Sequence, residues 1–366
     1  MACIDRVTTQ PLRRLAFPIV LGALAACGED AGPTQPDMSE APAMSMALAV
    51  SNTWTPTAPA PYTGDIFAYD LGMAPNAAGE SIVYAFGGTS TDENLTGLSV
   101  KAYNVATNTW SARSSIVSVF NSNGVGKIGN KLYFSGGYNE NVTLPEFSNR
   151  LWAYDYKGDR LIRRADLPIF SAEGVTGVIS GKLYVLPGAC NGNGWPNPGY
   201  CAVEETRRFY RYDPAANAWR TRRQAPHFHR QGAAAVIDGK LYVAGGVGAN
   251  GSPVRDLDVY DPGTNTWRTL APLPTGGVAS GSVLLGQFYV VVRGFDGTTP
   301  DNRAYAYNRV TNKWKPRAAP ERFGSVTRVK LDGKWHLFTA TGDHGALYAP
   351  CPQLGSLPLE CLGRLS

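Results

Sequence analysis

Three short segments frame changing residues with repeated ones. Pro226 to Gly232 reads PHFHRQG, Pro168 to Gly174 reads PIFSAEG, and Pro320 to Gly324 reads PERFG. The Pro and Gly recur, while the residues between them change. Those residues include His227, His229, Arg230, Glu173, Glu321 and Arg322. Arg presents a planar fork of donors suited to carboxylates or sugar hydroxyls. A Glu beside it could accept a bond from a hydroxyl or exchange a proton with it. His227 and His229 stand two apart, so on an extended segment their rings face the same way. That spacing could hold a metal, but no Cys, Asp or third His lies in the segment. No metal and no cofactor is assigned on it, and no residue is assigned a catalytic role.

The cysteines set a second group of candidates. Cys190 and Cys201 sit near each other, as do Cys351 and Cys361, and each pair suggests a local disulfide in an oxidising compartment. Each bridge would close a loop of roughly ten residues and restrict the unfolded chain by about 2–3 kcal/mol in the entropic account. The first loop displays Trp195 and Tyr200 on a Gly/Pro/Asn frame. Rigid aromatics of this kind suit stacking on a sugar or anchoring in a protein pocket. A loop that merely covers its own part of the fold is the other reading.

Residues 1–26 read as an export signal. Arg13 and Arg14 precede the apolar run LAFPIVLGALAA, which is too short to span a bilayer. The run ends in Leu24-Ala25-Ala26-Cys27, which resembles the lipobox of bacterial lipoproteins. The resemblance implies cleavage before Cys27 and a lipid on its sulfur. Ordinary cleavage after Ala25 is the alternative. Lipidation leaves no odd thiol in an exported chain, because Cys3 departs with the signal. Residues 27–49 are polar and Pro-containing and read as a flexible tether. Gly28 directly follows the Cys, with no Asp in that place; by resemblance to sorting rules this favours an outer-membrane or surface location over the inner membrane.

Charged residues make up only 17% of the 366, and the formal net charge is +5. Of that charge, +2 lies in the signal, from Arg6, Arg13 and Arg14 against Asp5. With no Lys/Arg block, nucleic acid is not an expected partner. Abundant Gly (41), Pro (26), Tyr (18) and Trp (8) favour strands and turns over helices.

These strands follow a repeat. Six apolar runs end in Gly-Gly or a substitute: VYAFGG, LYFSGG, LYVLPG, LYVAGG, YVVVRG and LFTATG. Their last glycines are 49, 51, 58, 48 and 48 residues apart. Six Trp slots recur with them: Trp54, Trp110, Leu161 in a Trp slot, Trp219, Trp267 and Trp314. A Tyr stands seven residues before five of these slots, at Tyr103, Tyr154, Tyr212, Tyr260 and Tyr307. This pattern resembles the kelch repeat, whose unit is one four-stranded propeller blade. The resemblance covers about residues 50–350 and implies an all-β, six-bladed kelch-type β-propeller. No Tyr-to-Trp unit follows the sixth Gly-containing run, while Ser51-Asn52-Thr53-Trp54 precedes the first. The N-terminal strand is therefore expected to supply the outer strand of the last blade, closing the ring before a tail at 351–366; an incomplete or seven-bladed ring is the alternative. The Gly, Tyr and Trp of the repeat are read as scaffold.

The resemblance also places the framed segments at the mouth of a central channel, on the face that binds partners. Function is expected where copies depart from the repeat. The expected function is a membrane-tethered, monomeric propeller of the cell envelope that binds a protein or glycan through this face. Kelch-like propellers also include enzymes. Galactose oxidase needs a copper site with a Tyr cross-linked to a Cys, and here every mature cysteine is already assigned to a lipid or a bridge. The six-bladed sialic-acid epimerases are the better analogue, since Arg230 or Arg322 with Glu173 or Glu321 could supply such a pair. A structural envelope component is a third reading. A deep polar pocket joining Arg and Glu would favour an enzyme, and a shallow rim of aromatics would favour binding. Arg328, on a predicted inner strand, either faces the channel or is exposed at the strand edge.

Overall fold

A computed structural model of the chain describes residues 52–60, 70–87, 99–116, 119–139, 146–191, 207–295, 300–341 and 344–350. All of them belong to the compact unit Ala41–Ser366. Apolar runs of four to eight residues separated by Gly and Asn turns make short antiparallel strands. In the cleanest blade, the fourth, Ala233–Ile237, Lys240–Ala244, Leu257–Asp261 and Thr266–Leu270 pair in sequence order.

Six such four-stranded sheets form. Their inner strands are Asp70–Pro75, Val125–Ile128, Val175–Ile179, Ala233–Ile237, Val278–Leu284 and Ser325–Leu331. Each inner strand neighbours those of the two adjoining blades, and the sixth lies beside the first. The ring is thus closed. Closure uses the N-terminal strand: Thr53–Thr57 pairs with His344–Ala349 as the outer strand of blade 6. No sheet of the ring is left short of a strand, which protects the seam from edge pairing.

The apolar core is divided among six interfaces, one between each pair of blades. At the seam, Val83, Tyr103 and Trp110 of blade 1 meet Val329, Phe338 and Leu347 of blade 6. Tyr103 stacks on Phe338 with ring centroids 4.7 Å apart. Near the axis the blades crowd. A Cβ on Gly126 would stand 2.5 Å from Leu183 Cδ1 and 2.7 Å from Val178 Cγ2, so any larger residue would have to push these side chains aside.

At the periphery the repeated Tyr, Asn and Trp form one joint per blade. In blade 4 the Tyr260 hydroxyl donates to Asn265 Oδ1 at 2.7 Å. The same oxygen accepts the Arg223 amide of the connection at 3.1 Å. Trp267 Nε1 donates to the Arg223 carbonyl at 2.8 Å. Asn265 holds φ 55°, a left-handed conformation that Asn tolerates well. The arrangement recurs through Asn108, Asn217 and Asn312. The sixth joint is assembled by closure: Tyr348 lies opposite Trp54 and donates to Asn52 Oδ1 at 2.9 Å. Tyr348 therefore supplies the Tyr that the repeat lacks in sequence order. Among the described residues, no helix is long and apolar enough to cross a membrane.

Candidate functional site at the channel mouth

The inner strands start, and the second strands end, on one face of the ring. A cavity of about 970 Å³ opens there and is lined from all six blades. Its wall is stitched blade to blade. The Ser122 amide donates to Asp70 Oδ2 at 2.8 Å. The Glu173 amide donates to the Asn121 carbonyl at 2.9 Å, the Gln231 amide to the Glu173 carbonyl at 2.7 Å, and the Ala279 amide to the Gln231 carbonyl at 2.8 Å. The Val326 amide ends the series on Ser280 Oγ at 2.8 Å. Asn121, Glu173 and Gln231 hold φ of 49°, 59° and 54°. Three successive blades therefore place a non-glycine residue in a sparsely populated conformation on the cavity wall, a pattern that clusters at functional sites.

The wall is polar and carries charge of both signs. Glu173 Oε1 accepts from Gln231 Nε2 at 2.9 Å. Its Oε2 lies 3.7 Å from Arg230 Nε, and neither atom has a hydrogen-bond partner although both are buried. Burial pushes the Glu173 carboxyl up; the Arg230 charge and bonds from Gln231 and Tyr138 offset only part of this. Burial also pushes Asp70 up to about 6, against the opposing Ser122 bonds. Across the cavity stand Arg293, Asn302, Glu321 and Arg322. Asn302 Nδ2 donates to the Glu321 carbonyl at 3.0 Å, while its buried Oδ1 is without a partner. Glu321 and Arg322 are exposed at the rim, with Glu321 3.8 Å from His344 Nε2.

Of the residues singled out in the framed segments, Glu173, Glu321 and Arg322 come together in this cavity, and Arg230 joins them through Glu173. The histidines depart from the expected ring. Both face the same way, as their spacing predicts, but toward Asp258 on the third strand of blade 4. His229 is wholly buried there and His227 half-exposed. The alternation that aligns the two rings also turns them away from Arg230, the residue of the segment that meets Glu173. Among the described residues no group of three or more His, Cys, Asp or Glu is arranged to hold a metal ion. Arg328 is exposed and lies over the Trp335 ring at 4.7 Å.

Trp195, Tyr200, Cys201, Cys27, Cys351 and Cys361 lie outside the described residues. The backbone of Cys190 belongs to the strand Ala189–Asn191, which pairs with Phe170–Ala172 just before Glu173. The long third-blade loop thus leaves from beside the mouth.

Asp70, Asn121, Gln231, Arg293 and Asn302 also line the cavity, beyond the residues singled out from the sequence. Gln231 was visible, since it stands directly before the framing Gly, as Glu173 does. Asp70 opens the strand DLGMAP, whose wording departs from the other inner strands.

The description "Kelch motif" matches residues 230–274, which is blade 4 with its lead-in. The chain is 31% identical over 149 residues to an F-box/kelch-repeat protein of Arabidopsis thaliana, covering 39% of this chain and 37% of that protein. It is 24% identical over 270 residues to Kelch-like protein 23 of Homo sapiens, covering 73% and 44%. The match therefore spans less than half the length of these relatives. The solved structure of YjhT superposes with a TM-score of 0.62 over 81% of this chain and 98% of that one, at 15% identity, and so speaks for the fold alone. Six closed blades, the Kelch motif in blade 4 and these kelch-repeat relatives all fit a kelch-repeat β-propeller.

Proposed function

We propose that this propeller is a binding module whose channel mouth receives a protein segment or a glycan of the cell envelope. The observation that carries the reading is the polar cavity of about 970 Å³, whose lining changes from blade to blade while the scaffold around it repeats. Its size suits a small oligosaccharide or the tip of a protein loop. Unpaired buried polar atoms on Glu173, Arg230 and Asn302 are groups a ligand could satisfy. Export and attachment through a lipid on Cys27 belong to the same proposal, supported by the signal-like residues 1–26 and the Leu-Ala-Ala-Cys ending. The module acts as a monomer and takes no nucleic acid.

A second reading, favoured by a polar pocket that joins Arg and Glu, is a carbohydrate-converting enzyme of the sialic-acid epimerase type. Two carboxyls in one cavity, Asp70 and Glu173, are pushed toward neutral pH by burial, as a general acid or base requires. A glycan array and a pull-down of purified envelope proteins with the lipid-free chain test the first reading. Arg322→Ala and Glu173→Gln are expected to lower binding at least tenfold. Binding that survives both, together with Trp195→Ala, removes the mouth as the site. NMR observation of sialic-acid anomer exchange tests the second, and a wild-type rate equal to buffer would end it.

A further inference from the structure

The cluster beneath the lead-in of blade 4 lies outside the cavity and is not used by the proposed function. His229 Nδ1 is 2.9 Å from the Gly245 carbonyl oxygen, and Nε2 is 3.1 Å from Asp258 Oδ2. The carbonyl can only accept. A neutral imidazole has one N–H and could serve only one of these two oxygens. The protonation state of Asp258 decides where the missing proton sits. Burial pushes the Asp258 carboxyl up, but the bond and charge of His229, the Thr269 hydroxyl and the His227 ring outweigh it and hold the group below its ordinary range. The convergence of His227, His229 and Thr269 on the two oxygens of Asp258 is that of a carboxylate, which only accepts. Its Oδ1 accepts from Thr269 Oγ1 at 2.8 Å, and His227 Nδ1 lies within 3.0–3.1 Å of both oxygens.

We infer that His229 carries protons on both ring nitrogens in the folded protein, and that its ion pair with Asp258 is a proton-dependent latch on the segment 226–232. Both side chains are 0% exposed, so neither partner is solvated and each depends on the other. The latched turn carries the cavity wall. The His229 carbonyl accepts the Gly232 amide at 3.1 Å, the Arg230 carbonyl accepts the Val247 amide at 2.7 Å, and the Gln231 amide reaches Glu173. A Cβ on Gly246 would come 2.5 Å from the Arg230 carbonyl, so the turn lies flat against blade 4.

The other charged groups nearby are already engaged. His227 bonds Asp258 and lies 3.8 Å from Asp256. Arg230, on the same segment, faces Glu173 of blade 3. Loss of the His229 proton would leave two acceptors facing each other in a dry space and loosen the turn. Loss of charge on Asp258 at low pH would break the same pair from the other side. The latch therefore holds between these two limits.

The test uses the full chain and needs no ligand, so it stands or falls apart from the proposed function. Two-bond ¹H–¹⁵N NMR at pH 7, with His229 identified by the signal lost in His229→Gln, is expected to show both ring nitrogens protonated. Raising the pH until one proton is lost should lower the amide-exchange protection of 226–232 about tenfold in the same pH range. Asp258→Asn should give a singly protonated His229 and the same loss of protection at pH 7, with Thr269→Val as a milder variant if the first does not fold. A singly protonated His229 in the wild-type chain at pH 7 overturns the inference. So does protection of 226–232 that is unchanged when the proton is lost.

Discussion

The outer joints and the channel mouth both rely on residues in left-handed conformation, yet they tolerate different side chains. At the periphery the residue is Asn in five of six blades, because its side-chain oxygen makes the joint: it takes the Tyr hydroxyl of its own blade and an amide from the connection. At the mouth the equivalent residues are Asn121, Glu173 and Gln231, and there the backbone makes the joint. Where the side chain holds the structure, its type repeats; where the backbone does, the side chain is released for other uses. Blade 2 tests the rule from within. Asp159 replaces the Asn and Leu161 the Trp, yet Tyr154 still donates to Asp159 Oδ1 at 2.8 Å and the Ser114 amide to Oδ2 at 2.7 Å. An acceptor in the right place is what the joint requires.

Three perturbations sharpen this contrast. Deleting residues 52–57 removes the closing strand together with Trp54 and the Asn52 joint. The expected loss is about 5 kcal/mol or more, comparable with the whole stability of a domain, and urea unfolding measures it. A midpoint near wild type would mean that the ring does not depend on closure. Asp70 gives a smaller effect, confined to pH. Its folded pKa is raised to about 6, so folding favours its protonated form. The associated stability is present below the carboxyl's ordinary range and is lost as pH rises through about 6, by at most about 3 kcal/mol. Asp70→Asn should flatten the melting temperature between pH 4 and 8; an unchanged profile would contradict this origin. The smallest effects compare two left-handed positions. Asn265→Ala should destabilise by about 2 kcal/mol, since it orphans Tyr260 and the Arg223 amide. Gln231→Ala should cost less, about 1 kcal/mol, because its backbone bonds persist and only the side-chain bond to Glu173 is lost. Equal losses by denaturant titration would break the distinction.

How much of this could be read from the chain follows the same division. The blades were legible because each restates one pattern: Leu241 to Ala244, Tyr260 and Trp267 appear in blade 4 as they do elsewhere. Closure was legible from Trp54, which has no Tyr before it. Tyr348 was not, because its partner lies at the other end of the chain. The cavity was partly legible through Glu173, Glu321, Arg322 and Arg230, which stand in framed segments. Asp70 and Asn302 carry no frame, and only the ring brings them to the same wall. The outward turn of His227 and His229 was hidden because Asp258, their partner, sits on another strand inside an apolar context.

The central claim is that the mouth holds the function while the periphery holds the fold. The most direct measurement is ligand titration and thermal melting of one double variant, Glu173→Gln with Arg322→Ala. The account predicts a melting temperature within a few degrees of wild type at pH 7 and binding of the captured envelope glycan or protein reduced at least tenfold. Wild-type affinity in the double variant, with the fold intact, would contradict it.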